Sequence, residues 1–381
     1  MPDALRIDFP EIQAAHFPTN LWRRRVTTMS ANADRKNAVQ PVDAKVSLVL
    51  TSIAAPNQVM RAIARESMER RFSFYVIGDT KSPANFALEG CDFYSVDRQL
   101  GLPFKFVELC PTRHYARKNI GYLQAIREGA TILIETDDDN LPRSEFYEPL
   151  DVRQTVPALR DTGWVNIYRF YSNMHIWPRG LPLDAVGTPL PEPSEPREVY
   201  CPIQQGLADD NPDVDAIYRL LMPLPVTFHE RPFRMAIEKN AWCPFNSQNT
   251  VFYEEAFPLL YLPAYCSFRM TDIWRSFVAQ RIAWENGWSI LFREATVAQF
   301  RNDHNLMKDF EDEIPGYLHN RAIGSALQAL ELTPGVEHIP ANLRRCYEVL
   351  VENKWVGEQE LLLLNAWCED LAVLRGAHGA I

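Results

Sequence analysis

The chain lacks the sequence features of several common protein classes. Its seven cysteines form no C-x-x-C pair and are odd in number, so neither a zinc site nor a disulfide framework is expected. The opening segment, MPDALRIDFPEIQAAHF, lacks the basic and then apolar pattern of a signal peptide, and no stretch approaches the ~20 apolar residues that a membrane span needs. These absences predict a cytoplasmic enzyme in a reducing compartment, without a membrane anchor.

Two nucleotide-binding signatures are also missing. No G-x-G-x-x-G follows the first predicted strand, and no P-loop lysine motif occurs anywhere in the chain. Dehydrogenases and P-loop kinases are therefore poor candidates. The formal net charge of −10 argues against a general affinity for nucleic acid or for an anionic membrane surface.

The composition that remains is typical of a globular protein with a large core. The 381 residues are 46% hydrophobic and 23% charged, so disorder is not expected. We predict a solvated arm over residues 1–44, an α/β domain over 45–305 and a helical extension over 306–381. Within the domain, we distinguish a first half, residues 45–145, from a second half, residues 146–305.

Hydrophobic patterning after residue 45 predicts a βαβ opening. KVSLVLTSI is typical of a strand, Asn57 to Arg70 of a helix, and FSFYVIGD of a second strand that ends at Asp79. CDFYSVD predicts a further short strand. This alternation predicts an α/β fold with a nucleotide-binding sheet flanked by helices. Asp79 either contacts a nucleobase or ribose, or caps the turn into Lys81.

The segment YARKNIGYLQAIREGATILIETDDDN, residues 115–140, carries the strongest chemical pattern. Apolar residues recur at helical spacing in its first half, Gly129 follows as a helix cap, and a short apolar strand comes next. Three consecutive aspartates follow that strand: Asp137, Asp138 and Asp139. Because open α/β sheets bind ligands at the carboxyl ends of their strands, the segment predicts a metal and diphosphate site.

The chemistry of carboxylates supports that prediction. Mg²⁺ and Mn²⁺ take oxygen ligands and are often held by one or two carboxylates, with phosphate oxygens and water completing the shell. Asp137 and Asp139 fit that demand. Adjacent carboxylates repel each other, so a cation or a basic partner must offset their clustering, and the basic partner is either Arg117 or Lys118. The competing interpretation is a solvated, Asp-rich turn.

The second half of the domain gives fewer indications. Twelve of the 28 prolines lie between Pro178 and Pro244, which predicts sparse regular structure and functional loops. The aromatic-rich segment from Trp164 to Arg179 is either a sugar-stacking wall or part of the core. Other candidates for the acceptor side are Gln204, Gln205 and Asp213.

Regular helical patterning returns in RMTDIWRSFVAQRIAWENGW. Asp272 lies in or just before its first turn, where it is either a helix cap or a carboxylate kept ionised as a general base. His304 is either a surface side chain or a ligand of metal or phosphate. Two further helices are predicted near residues 341–355 and 358–375, and their apolar faces make core or homodimer contacts.

Six ordered segments within residues 45–305 resemble a known family: VIGDTKSP, ARKNIGYLQAI, WPRGLPL, IQQGLADDNPDVDAIYRL, QNTVF and MTDIWRSFVAQRIAWENG. Together they resemble the STELLO family of glycosyltransferases. The helix ARKNIGYLQAI and the DDD strand end also resemble the nucleotide-sugar half of GT-A glycosyltransferases. The resemblance implies a GT-A fold that binds a UDP-sugar or GDP-sugar through Mn²⁺ or Mg²⁺. It also implies that residues 45–145 are the nucleotide-sugar half of the domain and residues 146–305 the acceptor half.

The resemblance also implies roles for the matching residues. The donor-binding residues would be Thr51, Asp79, Lys81, Arg117, Lys118, Asn119, Asp137 and Asp138. The metal ligands would be Asp137, Asp139 and His304. Asp272 would act as the base in an inverting transfer to the hydroxyl of a glycan or a small molecule.

Two other functions compete with this one. A non-catalytic scaffold could keep the GT-A fold and recruit enzymes of glycan synthesis. A nucleotidyltransferase shares the sheet and the metal, but it normally has a Gly-rich loop after the first strand, and TSIAAPNQ provides none.

Overall fold

A mixed sheet of ten strands organises the part of the chain that the computed structural model describes, residues 44–229, 233–300 and 305–377. Most of the predicted arm and the predicted ligand His304 lie outside the described residues. The strands are β1 (Val46–Thr51), β2 (Ser73–Ile77), β3 (Asp92–Tyr94), β4 (Ile132–Thr136), β5 (Asn140–Pro142), β6 (Arg153–Val156), β7 (Ala158–Leu159), β8 (Gly163–Trp164), β9 (Arg197–Tyr200), β10 (Ile203–Asp209), β11 (Met235–Ile237), β12 (Ala241–Trp242), β13 (Asn249–Tyr253) and β14 (Ile290–Gln299).

Helices cover both faces of this sheet. The α-helices are α1 (Gln58–Arg70), α2 (Val96–Leu100), α3 (Lys105–Leu109), α4 (Lys118–Arg127), α5 (Tyr168–Tyr171), α6 (Ala216–Leu221), α7 (Thr271–Glu285), α8 (Leu306–Gln328), α9 (Ile339–Glu352) and α10 (Glu360–Ala377). Short 3₁₀ turns occur at Tyr115–Arg117, Ser144–Tyr147, Leu183–Ala185, Glu254–Leu260, Phe268–Met270 and Val336–His338.

The strand order in the main sheet is β3-β2-β1-β4-β13-β10-β14-β11-β7, with β5 paired to β14. The pairs β1/β2, β1/β4 and β2/β3 are parallel, whereas β13 runs antiparallel to both β4 and β10. The chain moves outward from β1 to β3 and then returns to the other side of β1 as β4. This reversal leaves a crevice at the carboxyl ends of β1 and β4, where α/β sheets bind ligands.

The predicted βαβ opening is confirmed. The Asn57 side chain caps α1 by accepting a hydrogen bond from the Met60 amide at 2.9 Å. After α4, Gly129 takes a positive φ of 83°, which glycine adopts without a steric cost, and the chain turns into β4. All five residues of β4 are buried, so the aspartates leave the sheet from its interior.

The prediction of sparse regular structure between Pro178 and Pro244 is wrong at β10. This strand has seven buried residues and lies between β13 and β14 at the centre of the sheet. Its segment contains no proline, so every backbone N–H is available to the sheet. Gln204 and Gln205 can be buried there because their side-chain amides donate to Leu150 O at 2.9 Å and Asn246 Oδ1 at 3.0 Å.

Helix α8, of 23 residues, lies in the predicted helical extension but was not one of the two helices predicted there, because Pro315 interrupts its sequence and its apolar pattern is weak. Asn305 caps it by accepting from two backbone amides. It packs on α7, where Trp274 Nε1 donates to Asn320 Oδ1 at 2.8 Å. The helices predicted near 341–355 and 358–375 are confirmed as α9 and α10, and none of the described helices combines the length and apolarity needed to cross a membrane.

Candidate functional site

A cavity of about 510 Å³ opens at the carboxyl ends of β1, β2 and β4. It lies at the crevice expected from the strand order, and its wall contains residues from both halves of the domain. Eight of the predicted donor, metal and base residues line it: Thr51, Asp79, Lys81, Arg117, Asp137, Asp138, Asp139 and Asp272. The acceptor-side candidates Arg179 and Asp213 line it as well. Lys118 and Asn119 do not line it.

Asp137 is held from behind by two side chains of the Tyr115–Lys118 segment. Its Oδ1 accepts from the Tyr115 hydroxyl at 2.6 Å and from Lys118 Nζ at 3.0 Å. The fully buried Lys118 also donates to the Tyr115 hydroxyl at 2.7 Å and to Ser247 O at 3.0 Å. Of the two candidate basic partners, Lys118 is therefore the one that pairs with this carboxylate, and its three N–H groups are all used inside the protein.

The other two aspartates are tied to neighbouring elements. Asp138 accepts from the Ser52 hydroxyl after β1, and its backbone carbonyl accepts from Asn57 Nδ2 at 2.7 Å. Burial, together with the charge of Asp137, raises the pKa of Asp138. Asp139 Oδ2 accepts from Gln299 Nε2 at 3.1 Å. These bonds fix the segment Asp137–Asp139, which we call the aspartate loop, between β1, α1 and β14.

Arg117 and Asn119 serve the architecture around the cavity. The Arg117 guanidinium is buried and donates to Gln99 Oε1 at 2.9 Å and to Cys110 O at 3.1 Å. It therefore supports the loop before α4. The Asn119 side chain exchanges two hydrogen bonds with the Leu262 backbone, at 2.8 and 2.9 Å, and so joins α4 to the segment that precedes α7.

Asp79 caps a turn, and it also fastens a loop. Its Oδ1 accepts from the Thr80 amide at 2.6 Å, which is the capping role, and its Oδ2 accepts from the His114 amide at 3.1 Å. The loop before α4 is thereby held against the end of β2. Burial lowers the pKa of His114, although the charge of Asp79 opposes that effect. Lys81 is exposed at the rim of this side of the cavity.

A buried arginine between two aspartates forms another part of the cavity wall, within the predicted acceptor half. Arg179 Nε and Nη2 donate to Asp213 at 2.7 and 2.9 Å, and its Nη1 and Nη2 donate to Asp272 at 3.0 and 2.9 Å. All three residues line the cavity. Sequence patterning could not reveal this cluster, because Arg179 is 34 residues from Asp213 and 93 from Asp272.

The cluster determines the charge state of Asp272. Burial pushes the pKa of Asp272 upward, but attraction and hydrogen bonds from Arg179, and then the charge of Arg275, outweigh that effect. The pKa of Asp272 is therefore lower than its usual value. Asp272 stays ionised at neutral pH, in the first turn of α7, where the helix dipole also favours a negative charge.

The aromatic-rich segment belongs mainly to the core. Trp164 stacks on Trp242 with ring centroids 5.7 Å apart, and Tyr168, Tyr171 and Trp177 are buried. Of the candidates from this segment, only Arg179 lines the cavity. An aromatic side chain that the sequence patterns did not indicate, Phe268, lines it instead and is 52% exposed.

The aspartate loop could hold a hard divalent cation only together with the phosphate oxygens of a bound molecule. Among residues 44–229, 233–300 and 305–377, no group of three His, Cys, Asp or Glu side chains is arranged to hold a metal. Mg²⁺ and Mn²⁺ do not require such a cage, since one or two carboxylates and phosphate oxygens suffice. Asp137 and Asp139 supply carboxylates of this kind at the cavity wall, so the residues fit a metal that a diphosphate helps to bind.

The mixed sheet, the reversal of its strand order at β1 and the helices that flank it are those of a GT-A-like fold. This is the fold of one large class of glycosyltransferases. Comparison with known proteins identifies the glycosyltransferases that this chain resembles. The sequence model of the family described as STELLO glycosyltransferases matches residues 269–380. The predicted resemblance to the STELLO glycosyltransferases is thereby supported over α7 and the C-terminal helices.

Two curated relatives match a larger part of the chain. Probable glycosyltransferase STELLO2 of Arabidopsis thaliana is 28% identical in an alignment of 327 residues, and the match covers 78% of this chain and 41% of the relative. Probable glycosyltransferase STELLO1 of Arabidopsis thaliana is 27% identical in an alignment of 352 residues, and the match covers 85% of this chain and 44% of the relative. The chain spans less than half the length of these relatives. The matches confirm the predicted resemblance of this chain to the STELLO glycosyltransferases.

Proposed function

We propose that the protein transfers a sugar from a nucleoside diphosphate sugar to an acceptor hydroxyl. The observation that carries the proposal is the cavity itself, because its lining combines Asp79, the aspartate loop and the carboxylates of Asp213 and Asp272. A donor needs recognition of its nucleoside, neutralisation of its diphosphate and a place for the acceptor. The similarity to probable glycosyltransferases supports the same reaction class.

The proposed donor lies with its nucleoside toward Asp79 and its diphosphate toward the aspartate loop. Asp137 and Asp139 would hold Mn²⁺ or Mg²⁺, which would supply positive charge to the leaving diphosphate. Lys118 and Tyr115 orient Asp137 through the bonds to its Oδ1. Such outer partners of a metal ligand typically change metal affinity about 10–100-fold when they are removed.

The proposed acceptor enters from the side of Arg179, Asp213 and Asp272. An ionised carboxylate on that wall can accept the hydroxyl proton while the hydroxyl oxygen attacks the anomeric carbon. Attack from the face opposite the diphosphate would invert the configuration of that carbon. General base catalysis of this kind is typically worth about 10²–10⁴-fold in rate.

Calorimetric titration tests the donor site. UDP, GDP and their common sugar conjugates are titrated into the protein with Mn²⁺ or Mg²⁺ and again with EDTA. We expect one nucleotide to bind in a metal-dependent manner, Asp139→Ala to abolish that binding, and Asp184→Asn to leave it unchanged, because Asp184 lies at an exposed site paired with Arg321. Unchanged binding by Asp139→Ala would refute the site, and no binding by the wild type would favour a non-catalytic scaffold.

A further inference from the structure

Asp213 and Asp272, the two carboxylates that flank Arg179 at the cavity wall, differ in how many hydrogen bonds they can still accept. Arg179, which lies between them, has five N–H groups. One donates from Nε to Asp213 Oδ1, two from Nη2 to Asp213 Oδ2 and Asp272 Oδ2, and two from Nη1 to Asp272 Oδ1 and Arg269 O. The guanidinium is therefore saturated by the protein and has no N–H left for a ligand.

Asp272 is saturated as well. A carboxylate has about four lone-pair positions. At Asp272 they receive Arg179 Nη1 at 3.0 Å, the Ile273 amide at 3.0 Å, Arg179 Nη2 at 2.9 Å and the Ser247 amide at 3.2 Å. An acceptor hydroxyl could reach an Asp272 oxygen only by displacing one of these donors.

Asp213 has spare capacity. Among the described residues, its two oxygens accept only the bonds from Arg179 Nε at 2.7 Å and Nη2 at 2.9 Å. Each oxygen therefore keeps one lone-pair position. The side chain is 10% exposed and lines the cavity, so a ligand in the cavity can reach it. Of the two carboxylates, Asp213 is the one that can accept a hydrogen bond from a hydroxyl without any rearrangement.

We propose that Asp213 is the general base of the transfer, and that Arg179 and Asp272 are positioning residues that hold it. This inference rests on the proposed function. The acceptor hydroxyl gives its proton to an Asp213 oxygen, and the hydroxyl oxygen forms a bond to the anomeric carbon. The bond between that carbon and the diphosphate oxygen breaks, and its electron pair leaves with the diphosphate. Asp213 then releases the proton to solvent through the cavity.

The charged and titratable groups around Asp213 bear on any pH profile. Its direct partner is Arg179, which it shares with Asp272. Asp215 and Tyr168 also interact electrostatically with it, and Arg275 acts on Asp272 from within α7. Because these groups are common to the wild type and to the variants below, differences between the profiles report on the substituted carboxylate.

The test measures release of nucleoside diphosphate from the sugar nucleotide that binds in calorimetry, with water and with methyl glycosides as acceptors. Asp213→Asn is expected to lower kcat about 10²–10⁴-fold, with the nucleotide Kd within about twofold of the wild type. We expect the wild type to lose activity at low pH, where its base is protonated, and the residual rate of Asp213→Asn should lack that loss. Asp272→Asn should lose thermal stability and keep that low-pH loss, whereas Asp184→Asn should match the wild type.

Each contrary result has a distinct meaning. Wild-type kcat in Asp213→Asn, or disappearance of the low-pH loss in Asp272→Asn alone, would overturn the assignment of the base. If Asp213→Asn does not fold, Asp213→Glu replaces it. This variant should be slower than the wild type but should still lose activity at low pH. An Asp213→Glu rate that does not fall at low pH would overturn the assignment. A wild type that neither binds nor cleaves any sugar nucleotide would instead refute the proposed function, and the base assignment with it.

Discussion

The buried ion pair between Arg275 and Glu135 links α7 to β4 directly beneath the aspartate loop. Arg275 Nη2 and Nη1 donate to the two Glu135 oxygens at 2.7 and 3.2 Å, and the two side chains are 1% and 0% exposed. Glu135 also accepts from the Tyr122 hydroxyl. The pair thus connects the strand that leads to the predicted metal ligands with the helix that carries Asp272.

Arg275→Met would leave the Glu135 charge buried without its cation. Removing one partner of a buried ion pair typically costs about 3–5 kcal/mol, and we expect a loss of that size in the free energy of unfolding from urea denaturation. Arg153→Met is the matched control, because Arg153 pairs with Glu198 at the surface with 64% and 65% exposure. Exposed pairs contribute about 0–1 kcal/mol, so this variant should be nearly neutral.

The double variant Glu135→Gln with Arg275→Met separates the unpaired charge from the lost packing. It removes the buried charge and keeps an oxygen for the Tyr122 hydroxyl, so it should recover much of the stability that Arg275→Met loses. A loss below about 1 kcal/mol in Arg275→Met, equal to that of the surface control, would refute this account of the pair.

Three further predictions concern a buried acid, a tight glycine and the hydroxyl behind Asp137. Burial raises the pKa of Glu360 from 4.5 to about 7, so the folded protein holds this proton more tightly than the unfolded chain does. The resulting contribution to stability is lost as pH rises from about 5 through 7. The Tm of Glu360→Gln relative to the wild type, measured by calorimetry, should therefore increase over that range. Gly121→Ala places a Cβ 2.5 Å from Val49 Cγ1 and should cost about 1–3 kcal/mol in urea unfolding, whereas Gly376→Ala meets nothing within 4 Å and should not destabilise. Tyr115→Phe removes one donor to Asp137 and should weaken metal-dependent nucleotide binding in calorimetry about 10–100-fold, and unchanged affinity would contradict its proposed role.

The first half of the domain, residues 45–145, could be predicted from the sequence because its elements follow local patterns. The apolar runs of β1, β2 and β4, the capping Asn57 and the positive φ of Gly129 all depend on nearby residues. The parallel order of these strands then places Asp79 and the aspartate loop at one edge of the sheet. Pairing of Asp137 with Lys118 was one of two alternatives that the sequence left open.

The structure of the later part of the chain depends on contacts between residues that are far apart in the sequence. Strand β10 is stabilised by neighbours on both sides and by side-chain amides bonded across the core, none of which its proline-rich surroundings indicate. Helix α8 contains Pro315 and depends on packing against α7. The Arg179 cluster joins three separate segments, so its geometry, and the spare capacity of Asp213, exist only in the folded protein.

An anomalous difference map at the manganese absorption edge would test the central claim most directly. Crystals would be grown with Mn²⁺ and the nucleoside diphosphate that binds in calorimetry. We predict a manganese peak between the diphosphate and the carboxylates of Asp137 and Asp139, with the nucleoside extending toward Asp79. A nucleotide bound outside this cavity, or a diphosphate with no contact to the aspartate loop, would contradict the proposed donor site.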